Sequence, residues 1–153
     1  MQQLIIRKAE PKDLDTLLVF EQGVINAERP FDPTLKPHPN FYYDIEQMIA
    51  ASHIELLVAE LDGKLVGSGY ARIEDAKPYL IHPQHAYLGF MYVVPELRGK
   101  GVNKMIIDAL KTWSASKGMT ELRLDVYYQN EAAIKAYEKC GFNKHMIAMR
   151  MGL

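Results

Sequence analysis

The stretch that most constrains this chain is Val93-Val94-Pro95-Glu96-Leu97-Arg98-Gly99-Lys100-Gly101-Val102-Asn103-Lys104-Met105. An apolar, β-prone run from Tyr87 to Val94 leads into it. A proline stops the strand, a basic glycine turn follows, and an apolar pattern of helical spacing begins. Strand, glycine turn and helix N-terminus in that order hold an anion with backbone N–H donors and the positive end of a helix. Glycines there let the backbone approach the anion with no Cβ in between. Spacing excludes two kinds of phosphate turn. A P-loop needs two glycines five apart followed by Lys and Ser or Thr, and that is absent. The dinucleotide turn needs Gly-x-Gly-x-x-Gly, and Lys104 stands where its third glycine would be.

The rest of the chain reads as elements around this turn. Leu4 to Lys8 is a short first strand, and Pro11-Lys12-Asp13 opens a helix carrying Leu14, Leu17, Leu18, Glu21, Val24 and Ile25 at helical spacing. Four prolines between Arg29 and Asn40 forbid a regular element, and helical character resumes from Phe41 to Ala51. Ile54–Leu61 and Lys64–Arg72 flank Asp62-Gly63, a hairpin turn pair. After the glycine turn, Val102, Met105, Ile106, Ala109, Leu110 and Trp113 mark an amphipathic helix ending at Lys117-Gly118. Glu121 to Tyr127 predicts a strand, Asn130 to Lys139 a short helix, and Phe142 to Met151 a final strand. The crossover from Tyr87 to Tyr127 makes its two strands parallel. The hairpin is antiparallel, so the fold class is α/β with a mixed sheet covered by helices. No repeat or linker interrupts the 153 residues, which read as a single domain, 1–153.

A second motif follows downstream: Asn130-Glu131-Ala132-Ala133-Ile134-Lys135-Ala136-Tyr137-Glu138-Lys139-Cys140-Gly141-Phe142. Together the two stretches resemble motifs A and B of the GNAT superfamily of acyl-coenzyme A-dependent N-acyltransferases. Arg98-Gly99-Lys100-Gly101-Val102-Asn103 is similar to the motif A core, Gln/Arg-x-x-Gly-x-Gly/Ala, departing at Asn103. Asn130 to Phe142 matches Asn-x-x-Ala-x-x-x-Tyr-x-x-x-Gly-Phe at every position. The resemblance spans the whole chain in element order. It implies a mostly antiparallel sheet of six to seven strands with a central, splayed parallel pair, flanked by about four helices. It also implies acetyl-CoA as cofactor and a single N-acetyltransferase domain.

What the resemblance implies for chemistry can be stated residue by residue. The N–H groups of Gly99 through Lys104, with Arg98 and Lys100, would hold the pyrophosphate. The strand at Met91, Tyr92 and Val93 would pair its backbone with the pantetheine arm, and Gly89 suits a bulge that starts the splay. Val102, Asn103, Asn130 and Ala133 complete the cofactor set. Tyr137 would be the general acid to the leaving thiolate. A phenol at about 10 against a thiol at about 8.5 reads as a near-balanced transfer. The base stays open among Glu28, Glu74 and Tyr87, or a water chain ending on one of them. Phe31, Asp32, Tyr42 and Tyr43 in the Pro-rich loop offer an apolar wall with carboxylates for an amine.

The expected reaction is transfer of acetyl from acetyl-CoA to a primary amine by direct attack in a ternary complex. Two alternatives stand beside it: a catalytically inactive CoA-binding sensor, and a transferase for a longer acyl group. The acceptor class is open: a small amine, an amino acid, a drug, or a protein N-terminus or lysine. A homodimer is compatible with the chain. A formal net charge of −1 offers no field for nucleic acid or an anionic membrane. The longest run without Asp, Glu, Lys or Arg, Pro78 to Val94, holds two prolines and two histidines, so no membrane span is expected. One cysteine, Cys140, and an N-terminus charged by position 7 fit a cytoplasmic protein, with Cys140 expected as a buried inert thiol. Among five histidines only His82 and His85 are close, with no third ligand at a zinc spacing, so no metal is expected.

Overall fold

The computed structural model describes residues 3–153. Five strands form one sheet in the order β1-β2-β3-β4-β5: β1 (Leu4–Lys8), β2 (Ile54–Leu61), β3 (Lys64–Asp75), β4 (Gln84–Val93) and β5 (Leu122–Arg123). Neighbours are antiparallel except the parallel pair β4 and β5. The hairpin between β2 and β3 turns at Asp62 and Gly63, both at positive φ, pairing Leu61 with Lys64 as the dipeptide predicts.

Side chains alternate across the sheet and build two cores. On one face Leu56, Val58, Tyr70 and Phe90 pack against Leu17 and Phe20 of α1 (Leu14–Glu28) and Ile45 and Met48 of α2 (Ile45–Ala50). On the other, Leu57, Ala59, Ala71 and Leu88 meet Val102, Ile106, Ile107 and Leu110 of α3 (Val102–Ser116). The helical spacing located this face of α3, but Met105 lies half exposed and Ile107 is buried instead. α4 (Glu131–Lys139) follows on the same side and has no buried residue.

Three expectations need correction. The first helical turn of Phe41–Ala51 does not form, because Asp44 caps the helix by accepting from Gln47 N, so α2 begins at Ile45. The strand expected over Glu121–Tyr127 pairs only at Leu122 and Arg123, and 142–151 forms no strand. The sheet therefore has five strands rather than six or seven, with the parallel pair at its edge rather than its centre. The reason is partnership: a strand needs a neighbouring edge, and within one copy the terminal segment has none. The splay is present. β5 pairs at Ala86 and Tyr87, and from Leu88 to Val93 β4 has no partner on that side.

Candidate active site

The site is built where β4 stops being a regular strand. Ser68 faces Tyr92 and Tyr70 faces Gly89, so only Gly69 of β3 opposes both Phe90 and Met91 of β4. This is a β-bulge one residue beyond the Gly89 where sequence suggested it. Phe90 carries φ +54, a strained value for a bulky residue, and holds it while buried. Ser68 Oγ donates to Phe90 O at 2.9 Å, and Tyr43 lies 4.8 Å from the Phe90 ring. The bulge is thus gripped from both sides.

Beyond it the chain turns through Gly99 and Gly101, both at positive φ, into the N-terminus of α3. Gly101 is the N-cap residue, with nothing within 4 Å of where a Cβ would stand, so its N–H groups face open space. A groove of about 570 Å³ lies between this turn and α4. Met91, Val93, Arg98, Gly99, Gly101, Val102, Asn103 and Lys104 line one wall; Ala133, Ala136, Tyr137 and Cys140 line the other. The two sequence motifs, 27 positions apart or more along the chain, thus form opposite walls of one groove.

Individual side chains depart from the reading. Tyr92 turns its ring away, packing 4.7 Å from Phe20 and into the space that Gly23 of α1 leaves, where any Cβ would stand 2.5 Å from its ring. Only its backbone faces the groove side of the strand. Arg98 Nε donates to Val93 O at 2.9 Å, binding the turn to the strand end, and its guanidinium stacks 5.7 Å over Tyr92. Lys104 Nζ is drawn to Asp108 at 2.7 Å. Lys100 is exposed outside the groove lining. Asn103 points into the groove, and its Oδ1 has no partner among the described residues. Asn130 caps α4, accepting from Ala133 N at 3.3 Å.

Tyr137 is fixed by the end of its own helix. Gly141, at φ +103, lets Phe142 N donate to Tyr137 O at 3.1 Å and Gly141 N to Glu138 O at 3.0 Å, a Schellman ending. The Phe142 ring meets Tyr137 edge-on at 6.0 Å, which explains the Gly-Phe that closes the motif. Burial pushes the Tyr137 phenol up to about 12, with Glu28 adding to the rise. That corrects the near-balanced transfer expected from reference values. The phenol stays protonated at any working pH, and full transfer to a thiolate is uphill. Cys140 borders the same groove and is only partly covered, rather than buried.

The open question of the base is narrowed by position. Glu74 pairs across the strands with His85, seven residues before Tyr92, roughly 24 Å at 3.4 Å per residue. It bonds Arg72 at 2.9 Å and His85 at 3.2 Å there. Tyr87 donates to Asp125 at 3.1 Å, and burial holds its phenol well above the ordinary range, so phenolate is scarce. Glu28, at the end of α1, is half-buried; desolvation raises its carboxyl, partly offset by the Tyr42 hydroxyl.

The Pro-rich loop is tied down by a residue that spacing filed with the apolar face of α1. Glu21 is fully buried and its Oε2 accepts from Tyr42 N at 2.9 Å and Tyr43 N at 2.7 Å. Of the loop side chains, Phe31 stacks on Tyr127 at 5.9 Å, and Asp32 accepts from Tyr127 at 3.3 Å and Arg150 at 2.7 Å. Thr34 and Arg150 hold the Asp32 carboxyl well below the usual carboxylate range. Tyr43 instead joins the core around Phe90. Tyr127 and Arg150 lie 95 and 118 residues from Asp32, beyond what local spacing shows.

The histidine pair does gain a third neighbour. His82, His85 and Glu121 bring ligand atoms within 4.8 Å of one another. Glu121 is bonded by Arg123 and Glu74 by Arg72, so this group is already charge-balanced and ties β3, β4 and β5 together. Among the described residues no helix is long and apolar enough to cross a membrane.

The comparisons agree with this geometry. Two curated relatives are aminoglycoside N(6')-acetyltransferases type 1. That of Stenotrophomonas maltophilia is 28% identical, with 97% of this chain and 93% of the relative aligned. That of Salmonella typhimurium is 28% identical over 108 residues, covering 66% of this chain and 70% of the relative. A solved structure, AAC(6')-Iy in complex with the bisubstrate analog CoA-S-monomethyl-acetylneamine, superposes with a TM-score of 0.72 at 23% identity, covering 99% of each chain. The model of the Acetyltransferase (GNAT) family matches residues 22–142, and with that match across most of its length the chain belongs to this family.

Proposed function

We propose that the protein transfers acetyl from acetyl-CoA to a primary amine of a small, cationic acceptor of the aminoglycoside kind. The observation that carries this is the groove whose walls are the Arg98–Lys104 turn and Tyr137. Two features of the chain suit the cofactor. The turn leaves the first N–H groups of α3 unpartnered above a positive-φ glycine cap, as a pyrophosphate requires. The Asn103 amide has no partner, and its Nδ2 donors can turn toward the same anion.

When bound, the cofactor supplies an activated thioester. The chain does the rest. The unpaired edge of β4 from Leu88 to Val93 offers backbone groups to the pantetheine arm. The bulge re-aims one N–H near Tyr92 toward the carbonyl oxygen that gains charge. Glu28, through its raised affinity for a proton, takes one from the incoming ammonium, directly or through water. Tyr137, kept neutral, donates a hydrogen bond to the departing sulfur and releases its proton as that charge develops. Glu28 and Asp32 with Phe31, Tyr42 and Tyr127 form the acceptor wall, carboxylates beside aromatic faces. The named substrates of the 28% identical relatives support an aminoglycoside as acceptor.

The test is thiol release from acetyl-CoA across a panel of an aminoglycoside with a free 6′-amine, spermidine, free amino acids and a lysine peptide. Turnover with the aminoglycoside above the others supports the reading. CoA binding without turnover on any amine would leave a sensor, and turnover only with longer acyl thioesters would replace acetyl.

A further inference from the structure

After the Schellman end of α4, residues 143–153 form an arm that makes no backbone hydrogen bond with the described residues. Its sequence alternates. Ile147, Met149, Met151 and Leu153 fall on one parity, and Ala148, Arg150 and Gly152 on the other, the pattern of a strand with one apolar face. In a single copy those four apolar side chains are 81, 90, 83 and 119% exposed. The opposite parity is anchored: Arg150 reaches Asp32 at 2.7 Å and Thr34 at 2.9 Å. The arm thus holds its own acceptor loop with one side and turns its apolar side outward.

The surface area points the same way. A compact monomer of 17.5 kDa exposes about 7,900 Å² by the usual scaling, whereas this chain exposes 10,285 Å². The excess, roughly 2,400 Å², exceeds the ~1,200–2,000 Å² that a specific interface buries.

We infer that a second copy of this chain covers the arm, the two arms lying across one another about a twofold axis. The chain carries two open features of the same kind, an apolar strand without a neighbour and β5, whose outer edge is unpaired. A twofold arrangement brings each copy's open strand to the other's and satisfies both. The four outward side chains are uncharged and Arg150 is already neutralised by Asp32, so an anionic membrane finds no basic cluster here. Because Asp32 also accepts from Tyr127, the dimer holds the acceptor wall in place through Arg150. This last consequence rests on the acceptor reading above; the dimer itself does not.

The experiment compares the wild-type protein with Met149→Glu/Met151→Glu, two positions whose substitution costs a lone copy nothing. Sedimentation equilibrium at micromolar protein should give twice 17.5 kDa for the wild type and 17.5 kDa for the variant, both cooperatively folded by thermal melt. The variant should lose about tenfold in KM for the acceptor while its affinity for CoA stays within about twofold, as an effect confined to the acceptor wall requires. A wild type that sediments as a single copy at every concentration overturns the proposal, as does a variant that stays dimeric. Binding of the wild type to anionic vesicles, lost in the variant, would put a membrane in place of the second copy. A dimer whose dissociation leaves acceptor KM unchanged keeps the interface and removes the acceptor-wall role.

Discussion

The two ends of β4 are made of the same strand and behave oppositely. At its start, His85, Ala86 and Tyr87 are enclosed: β3 pairs on one side, β5 on the other, and the Arg72–Glu74, His85–Glu74 and Arg123–Glu121 contacts lock the side chains. At its finish, Phe90 to Val93 keep β3 but lose β5, and the backbone is bulged at positive φ. Side-chain ion pairs close the sheet where nothing needs to enter. Backbone groups are left open where a ligand must pair with them. If that contrast is right, damage at the open end should remove function with the fold intact, and damage at the closed end should do neither.

The strongest way to break the contrast is Gly101→Leu. Its φ of +86 costs a side chain about 1–2 kcal/mol, and the new side chain would stand over the N–H groups that open α3. CoA affinity measured by calorimetry should fall more than about 100-fold, with a melting point only about 2–6 °C lower. Retained CoA binding would remove the turn from the site.

Next is Tyr137→Phe, which should lower kcat by about 100-fold while CoA affinity changes less than about threefold. Since burial pushes this phenol up to about 12, it stays neutral across the assay range, and no loss of kcat on the alkaline side below about 10 should trace to it. Glu28 sets the acid side. Burial raises its carboxyl, so the base form is lost as pH falls through that raised value, earlier than for a free glutamate. Glu28→Gln should lower kcat/KM by about 10-fold or more and flatten that acid limb. The sign for stability is opposite. The folded state binds this proton more tightly than the unfolded, so charging Glu28 costs stability as pH rises, and Gln should melt at or above the wild type at neutral pH.

How much of this was legible in the sequence follows the same divide. The glycine turn, the Asn130 cap and Tyr137 could be named from spacing because each is a local device: a positive-φ turn, a helix cap, a residue three before its Schellman glycine. α3 was legible because its apolar period matches its buried face. Glu21 was misfiled because spacing places a residue on a helix face without saying what that face meets; a carboxylate there anchors the two N–H groups of a loop 21 residues away. Glu121 beside His82, and Arg150 beside Asp32, are contacts between distant parts of the chain, invisible to any window. The final strand failed for a further reason. Its alternation is real, but alternation shows an apolar face and not where the partner edge comes from.

The bulge itself can be loosened without touching the groove. Ser68→Ala removes the one hydroxyl that satisfies Phe90 O and leaves a buried carbonyl short of a donor. About 1–2 kcal/mol of stability should go, roughly 2–6 °C in melting point, with kcat down a few fold as the strand finish relaxes.

The smallest effect belongs to the closed end. Glu121→Gln leaves the backbone bond from Ala86 N to Glu121 O at 3.0 Å untouched and removes only the charge that Arg123 and His82 share. Partly exposed ion pairs of this kind contribute about 0–1 kcal/mol, so the melting point should move by no more than about 3 °C. Acetyl transfer should stay within about twofold, because no group at this end lies within reach of the groove. Hydrogen exchange at the Ala86 amide gives the finer reading. If the side-chain cluster holds the parallel pair shut, that amide should exchange faster in the variant while amides near Val93 do not change. A fall in kcat comparable to that of Tyr137→Phe would mean that the two ends of β4 act as one unit, and the contrast between them would be lost.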